Sequence, residues 1–130
     1  MGLFKNIFGG SAGSTGDKKV LPWTPLQRLD QLPDIEEKSK VRPQIIFKHS
    51  TTCGISRMVL NMFTDSYAIE AGKIDLYFLD LQAHREVSNE VAIRFQVIHQ
   101  SPQLLVVKNN STVFHTSHGA ISEVDLEKFL

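Results

Sequence analysis

The sequence predicts an α/β domain: a mixed central sheet with helices on both faces, closed by a C-terminal antiparallel hairpin plus helix. Two observations carry that reading. The apolar runs Ile45-Ile46-Phe47 and Leu76-Tyr77-Phe78-Leu79 are each followed by a segment of helical spacing, the βαβα rhythm of a parallel sheet covered on both sides. After Pro102 the rhythm changes. Leu104-Leu105-Val106-Val107 and Thr112-Val113-Phe114-His115 flank Lys108-Asn109-Asn110-Ser111, a turn in which asparagine tolerates left-handed backbone angles, so the last strand pair is antiparallel.

Residues 1–19 read as a flexible N-terminal arm and residues 20–130 as the folded domain. In the arm, Leu3, Phe4, Ile7 and Phe8 give one apolar side of a very short helix, and Gly9 to Gly16 has linker composition. The opening Met-Gly resembles a myristoylation signal, but Asn6 stands where Ser or Thr is required. Val20-Leu21-Pro22-Trp23 reads as a short edge strand. Thr24-Pro25-Leu26-Gln27 reads as a helix start, with a threonine cap and a proline in the first turn. Leu26, Leu29 and Leu32 are its apolar positions, and Pro33 is expected to divide it.

Gln44 to His49 is a buried central strand, because its successive apolar residues show no polar alternation. Ile55, Met58, Val59, Met62 and Phe63 then follow the spacing i, i+3, i+4, i+7, i+8, which predicts a helix burying that face from its first turn. Lys73 to Asp80 is the next strand. Residues 85–96 form a helix with Val87, Val91 and Phe95 on one side. Ser122, with Asp125 three residues on, is expected to cap a final helix carrying Leu126, Phe129 and Leu130, with Ile121 packed on Leu126.

Composition narrows the function classes. With 130 residues, 42% hydrophobic and 22% charged, the chain has room for one core. Lysine plus arginine equals aspartate plus glutamate at 14 each, so no overall field favours nucleic acid or an anionic membrane. No stretch approaches the roughly 20 apolar residues that span a bilayer. A single cysteine forms no internal disulfide, and with no secretory signal in the opening residues the reducing cytoplasm is the expected setting.

That cysteine, Cys53, lies between the central strand and the following helix. Aligned peptide dipoles and free N–H groups at a helix start stabilise an anion, favouring thiolate over thiol. A strand-to-helix turn at the C-terminal edge of a parallel sheet is also where α/β domains place ligands. A lone cysteine is otherwise a small buried hydrophobe. Thr51, Thr52 and Gly54 around it point to access. Lys48, five residues upstream, either folds back to lower the thiol pKa or is a solvated lysine at a strand end. Ser56 shares a helix face with Cys53; its hydroxyl either approaches the sulfur or fills a first-turn position. It stands where a C-x-x-C motif carries its second thiol, and it cannot resolve a mixed disulfide. Pro102 begins a strand, where proline needs no special explanation. His115 and His118 read as surface residues rather than zinc ligands, and no metal site is expected. The peroxiredoxin pattern P-x-x-x-[TS]-x-x-C is met at Ser50 and Cys53, but Ile46 replaces its proline.

Taken together, the strand, cysteine helix, strand, helix, Pro102, hairpin and closing segment resemble the thioredoxin fold from about Val20 onward. The likeness is close in Pro102-Gln103-Leu104-Leu105 and Gly119-Ala120-Ile121-Ser122. Thr52-Cys53-Gly54-Ile55-Ser56-Arg57 and Ser101-Pro102-Gln103 resemble the monothiol bacilliredoxins of the bacillithiol system. That resemblance implies a thiol-disulfide oxidoreductase that removes bacillithiol from proteins, with Cys53 as nucleophile. Pro102 would be the cis-proline opposite it, and the Ser101 backbone would pair with the substrate. Thr52, Ser56, Lys48, Ser101 and Pro102 would stabilise the thiolate or position the substrate, and Cys53 with Ser101 would contact the thiol. Bacillithiol would be a co-substrate, with no tightly bound cofactor, and the partners would be S-bacillithiolated clients and a regenerating reductase, with the protein itself a monomer. The Cys-Gly-Ile-Ser tetrad also resembles the Cys-Gly-Phe-Ser site of monothiol glutaredoxins, which hold an iron–sulfur cluster between two protomers. A non-catalytic adaptor on the same fold is a third reading.

Overall fold

The computed structural model describes residues 19–130. The expectations for the arm, its short apolar helix and its myristoylation-like start, fall on residues outside that range. Five strands form one mixed sheet: β1 (Trp23–Pro25), β2 (Gln44–His49), β3 (Asp75–Asp80), β4 (Gln103–Lys108) and β5 (Ser111–Ser117). Three helices, α1 (Gln31–Lys38), α2 (Gly54–Ser66) and α3 (Arg85–Arg94), and two 3₁₀ segments, His118–Glu123 and Leu126–Phe129, cover it. The order is β1-β3-β2-β4-β5. β3 runs parallel to both β1 and β2, whereas β4 is antiparallel to β2 and β5 to β4. No helix among the described residues is long and apolar enough to cross a membrane.

Strand alternation divides the core into two layers. Ile46, Tyr77, Leu79, Leu105 and Val107 face α1 and α3, where Leu32, Ile35, Val87 and Val91 meet them. Ile45, Phe47, Leu76, Leu104 and Val106 face α2 and the 3₁₀ segments, through Val59, Phe63, Ile121 and Leu126. β2 is buried along its whole length, as its unbroken apolar run requires. The β4–β5 turn takes Asn109 and Asn110 at φ 49° and 70°, the left-handed pair that a two-residue hairpin turn needs.

The structure corrects four local expectations. Residues 24 and 25 belong to β1, and the helix starts later, at Gln31. Gln31 rather than Gln27 supplies the local side-chain bonds, accepting from the Gln27 and Arg28 amides and donating to the Pro25 carbonyl. Pro33 does not divide α1. It lies in the first turn, where its missing N–H has no helical partner to lose. Of the five apolar positions expected on the buried face of α2, Val59 and Phe63 are inside, together with Ser56, whereas Ile55, Met58 and Met62 are 57%, 54% and 45% exposed. Finally, the C-terminus closes as two 3₁₀ segments, and Ser122 lies inside the first, its hydroxyl donating to the Gly119 carbonyl at 2.8 Å. Ile121 and Leu126 do join one buried cluster.

Candidate active site

Cys53 is the N-cap of α2, half-buried, with extended backbone angles of −105° and 118°. Its carbonyl accepts the Arg57 amide at 3.2 Å, the first bond of the helix. The first-turn amides of Gly54, Ile55 and Ser56 have no intrahelical acceptor and are oriented toward the helix entry. The sulfur makes no capping bond to them here. Gly54 and Ile55 are exposed, and a Cβ built on Gly54 meets nothing within 4 Å, so the space over this turn is open to a partner.

The loop before Cys53 is held from two sides. Within it, the Cys53 amide donates to the Ser50 carbonyl at 3.3 Å. From the end of β3, the Gln82 carboxamide accepts from Thr51 Oγ1 at 3.0 Å and Ser50 Oγ at 3.3 Å, and donates to Thr52 Oγ1 at 2.9 Å. Thr52 is thus tied to the loop by Gln82. From beneath, Ser56 Oγ accepts the Ser50 amide at 3.1 Å and lies 2.9 Å from His49 Nδ1. Ser56 is fully buried and His49 only 6% exposed. Burial is the main influence on His49 and holds its pKa below the usual 6.5, with Asp80 opposing and Arg57 reinforcing that shift. The ring is neutral at pH 7, and in either tautomer its Nδ1 can pair with the serine oxygen.

Lys48 does not fold back over the thiol loop. It points to the opposite face of β2, is fully buried, and donates to the Ser88 carbonyl of α3 and to His99 Nδ1, both at 3.2 Å. Desolvation lowers its pKa from 10.5 to about 8. Strand parity is the physical reason: Ile46 and Lys48 lie on the α1/α3 side, and Phe47 and His49 on the α2 side. The Ser56 hydroxyl likewise has His49 and Ser50 as its partners among the described residues, not the sulfur.

Pro102 is buried and its peptide bond with Ser101 is cis. Lys48 pairs with Gln103 across β2 and β4, which brings the entry of β4 to the sheet edge from which the Cys53 loop rises. The Pro102 carbonyl accepts the His118 amide at 3.0 Å. Gln103 pins the approach to the proline by donating to the Ile98 carbonyl at 2.9 Å and accepting the Gln100 amide at 3.4 Å. Ser101 Oγ is buried with no hydrogen-bond partner.

Cys53, Thr52 and Ser56 therefore share one turn, Ser101 and Pro102 stand at the neighbouring strand entry, and Lys48 belongs to another layer. Sequence reasoning missed His49 and Gln82. His49 shares its face of β2 with Phe47, but both faces of that strand are buried and neither is marked as the one that meets the cysteine helix; for Gln82, whose bond to Thr52 spans 30 residues, there was no signal at all.

Two parallel strand pairs followed by two antiparallel ones, with helices on both faces, make the thioredoxin fold, and the chain is a thioredoxin-like thiol oxidoreductase. Its family is more specific. The model of the monothiol bacilliredoxin BrxC family matches residues 24–126, and the chain belongs to that family. A solved structure whose description names a thioredoxin fold and an oxidoreductase assignment is 31% identical, over 75% of this chain and 83% of that one, with a TM-score of 0.63. Schistosoma mansoni thioredoxin is 17% identical over 83% and 95% of the two chains, with a TM-score of 0.63. Spinach chloroplast thioredoxin f is 16% identical over 82% and 88%, with a TM-score of 0.59. Both thioredoxins attest the fold alone.

Proposed function

We propose that this protein reduces mixed disulfides between protein thiols and bacillithiol, with Cys53 as the nucleophile. The observation that carries the reading is the position of the chain's one cysteine: half-buried at the N-cap of α2, under open space, above first-turn amides free to accept an anion. The Cys53 thiolate attacks the bacillithiol sulfur of the client's mixed disulfide. That S–S bond breaks, the client sulfur leaves as thiolate and takes a proton from water, and Cys53 is left S-bacillithiolated. No other cysteine exists to resolve that adduct, so a free thiol or a partner reductase must attack it. The Ser101 backbone beside the cis-proline pairs with the extended client segment, and Thr52, held by Gln82, lines the other side. Ser56 supports the site from below without touching the sulfur, and Lys48 lies across the sheet from it. A reducing cytoplasm, where a free thiol persists, suits this cycle.

The test is single-turnover transfer from a bacillithiolated client, followed by intact-mass spectrometry. The expected products are free client and a bacillithiol adduct on Cys53, both abolished by Cys53→Ser. Equal transfer from glutathione and coenzyme A mixed disulfides would refute bacillithiol specificity while keeping the thiol exchange.

A further inference from the structure

The geometry points to His49 as a positioning residue for exchange at Cys53, acting through the Ser56 hydroxyl and the Ser50 amide. The inference rests on Cys53 being the nucleophile and is independent of which thiol Cys53 removes.

Three observations converge. His49 is anchored to the sheet: its carbonyl accepts the Leu81 amide at 3.1 Å, and its ring packs 5.3 Å from Phe78 and 6.4 Å from Phe47, centroid to centroid. Its Nδ1 meets Ser56 Oγ in the first turn of α2, so a side chain of the central strand grips the helix that carries the thiol. The same oxygen accepts the Ser50 amide, while the Ser50 carbonyl accepts the Cys53 amide. Both polar groups of the Ser50 backbone are therefore fixed, one by the His49–Ser56 pair and one by Cys53 itself. The orientation of Ser50 sets the direction in which Cys53 leaves the loop.

Buried polar groups cost free energy unless paired, and an apolar pair of similar shape would fill this layer without that cost. What the polar pair adds is direction. Attack on a disulfide needs the thiolate in line with the S–S bond, and a misplacement of about 1 Å can cost up to about a hundredfold in rate. Ser56 occupies the position of the second thiol in a C-x-x-C site, and here its hydroxyl aims the first.

The test is a double-mutant cycle read on an extended peptide whose cysteine carries a thiopyridyl disulfide, a substrate without bacillithiol. Cys53 attacks the peptide sulfur, the S–S bond breaks, and thiopyridine leaves as a coloured product. His49→Phe and Ser56→Ala are each expected to slow attack by about tenfold, and the double variant by no more than about tenfold, because both remove one unit. His49→Asn, whose amide reaches the Nδ1 position, should stay within about threefold of wild type. Thermal unfolding of each variant gives the folded fraction, and Ser56→Ala, which removes a single oxygen, carries the test if His49→Phe fails to fold. A wild-type rate in folded His49→Phe or Ser56→Ala, losses that multiply in the double variant, or a His49→Asn as slow as His49→Phe would overturn the proposal. If the cycle behaves as expected and bacillithiolated clients are not reduced, the positioning role stands and the substrate assignment fails.

Discussion

Ser56 Oγ lies 2.9 Å from His49 Nδ1, so the hydroxyl three residues after the only cysteine is held by the central strand and not by the sulfur. That contact makes position 56 an unusual place to restore a second thiol. Ser56→Cys should convert a one-step exchanger into a self-resolving one. The introduced thiol gives its proton to His49 Nδ1 and attacks the Cys53 mixed disulfide, closing an internal bond and expelling the small thiol. Intact mass should show the adduct persisting on wild type and disappearing from the variant, and adding His49→Phe should slow that second step. A persistent adduct on Ser56→Cys would show that the two positions cannot meet.

Lys48 carries a buried charge with no carboxylate partner among its hydrogen bonds. Its folded-state pKa, about 8, lies below the ordinary 10.5, so between those values the unfolded chain binds more protons and stability rises with pH. Below about pH 8 the cost is fully present. Lys48→Met should therefore be more stable than wild type at pH 7, by about 1–3 kcal/mol, with the difference shrinking toward pH 10.5. Urea unfolding at stepped pH values measures this. The same variant loses the bond to His99 and with it one restraint on the loop leading to Pro102, so slower exchange should accompany the gain in stability.

His49 acts in the same direction at lower pH. Burial lowers its folded-state pKa below 6.5, so its stabilising contribution is present above that value and is lost as pH falls through 6.5 toward the folded value. Wild type should lose stability on acidification, and His49→Asn should lose less over the same window. Chemical denaturation between pH 7.5 and about 5 compares the two; identical slopes would mean that His49 does not titrate with unfolding.

The two sides of α2 should respond differently to substitution. Val59 is 1% exposed within the aromatic layer, so Val59→Ala should cost about 1–3 kcal/mol through lost burial and a cavity. Met58 and Met62 are about half exposed, and replacing either with lysine should change stability by no more than about 0.5 kcal/mol. Equal losses on both faces would contradict the packing described.

Gln82 holds the loop by three side-chain bonds at the surface. Gln82→Ala should cost only about 0.5–1.5 kcal/mol globally, while amide hydrogen exchange at Thr51, Thr52 and Cys53 speeds up and client exchange slows.

The sequence by itself determined the strand–helix rhythm, the hairpin with its asparagine turn, the full extent of β2 and the placing of Cys53 at a helix start. These are local matters of apolar runs, turn residues and caps, and the motifs around Cys53 and Pro102 were enough for the family. Only the tertiary structure decided which neighbour on β2 serves the thiol. Ile45, Ile46 and Phe47 are all buried, so the strand shows no polar alternation to mark the α2 side, and Lys48 and His49 look equally eligible until that helix is packed. The buried stripe of α2 was hidden for a related reason. It includes Ser56, a polar residue that is inside because His49 meets it there, while apolar Ile55, Met58 and Met62 remain outside. Hydrophobic spacing weighs residues by their own chemistry. Burial of a polar group depends on a partner that another element supplies.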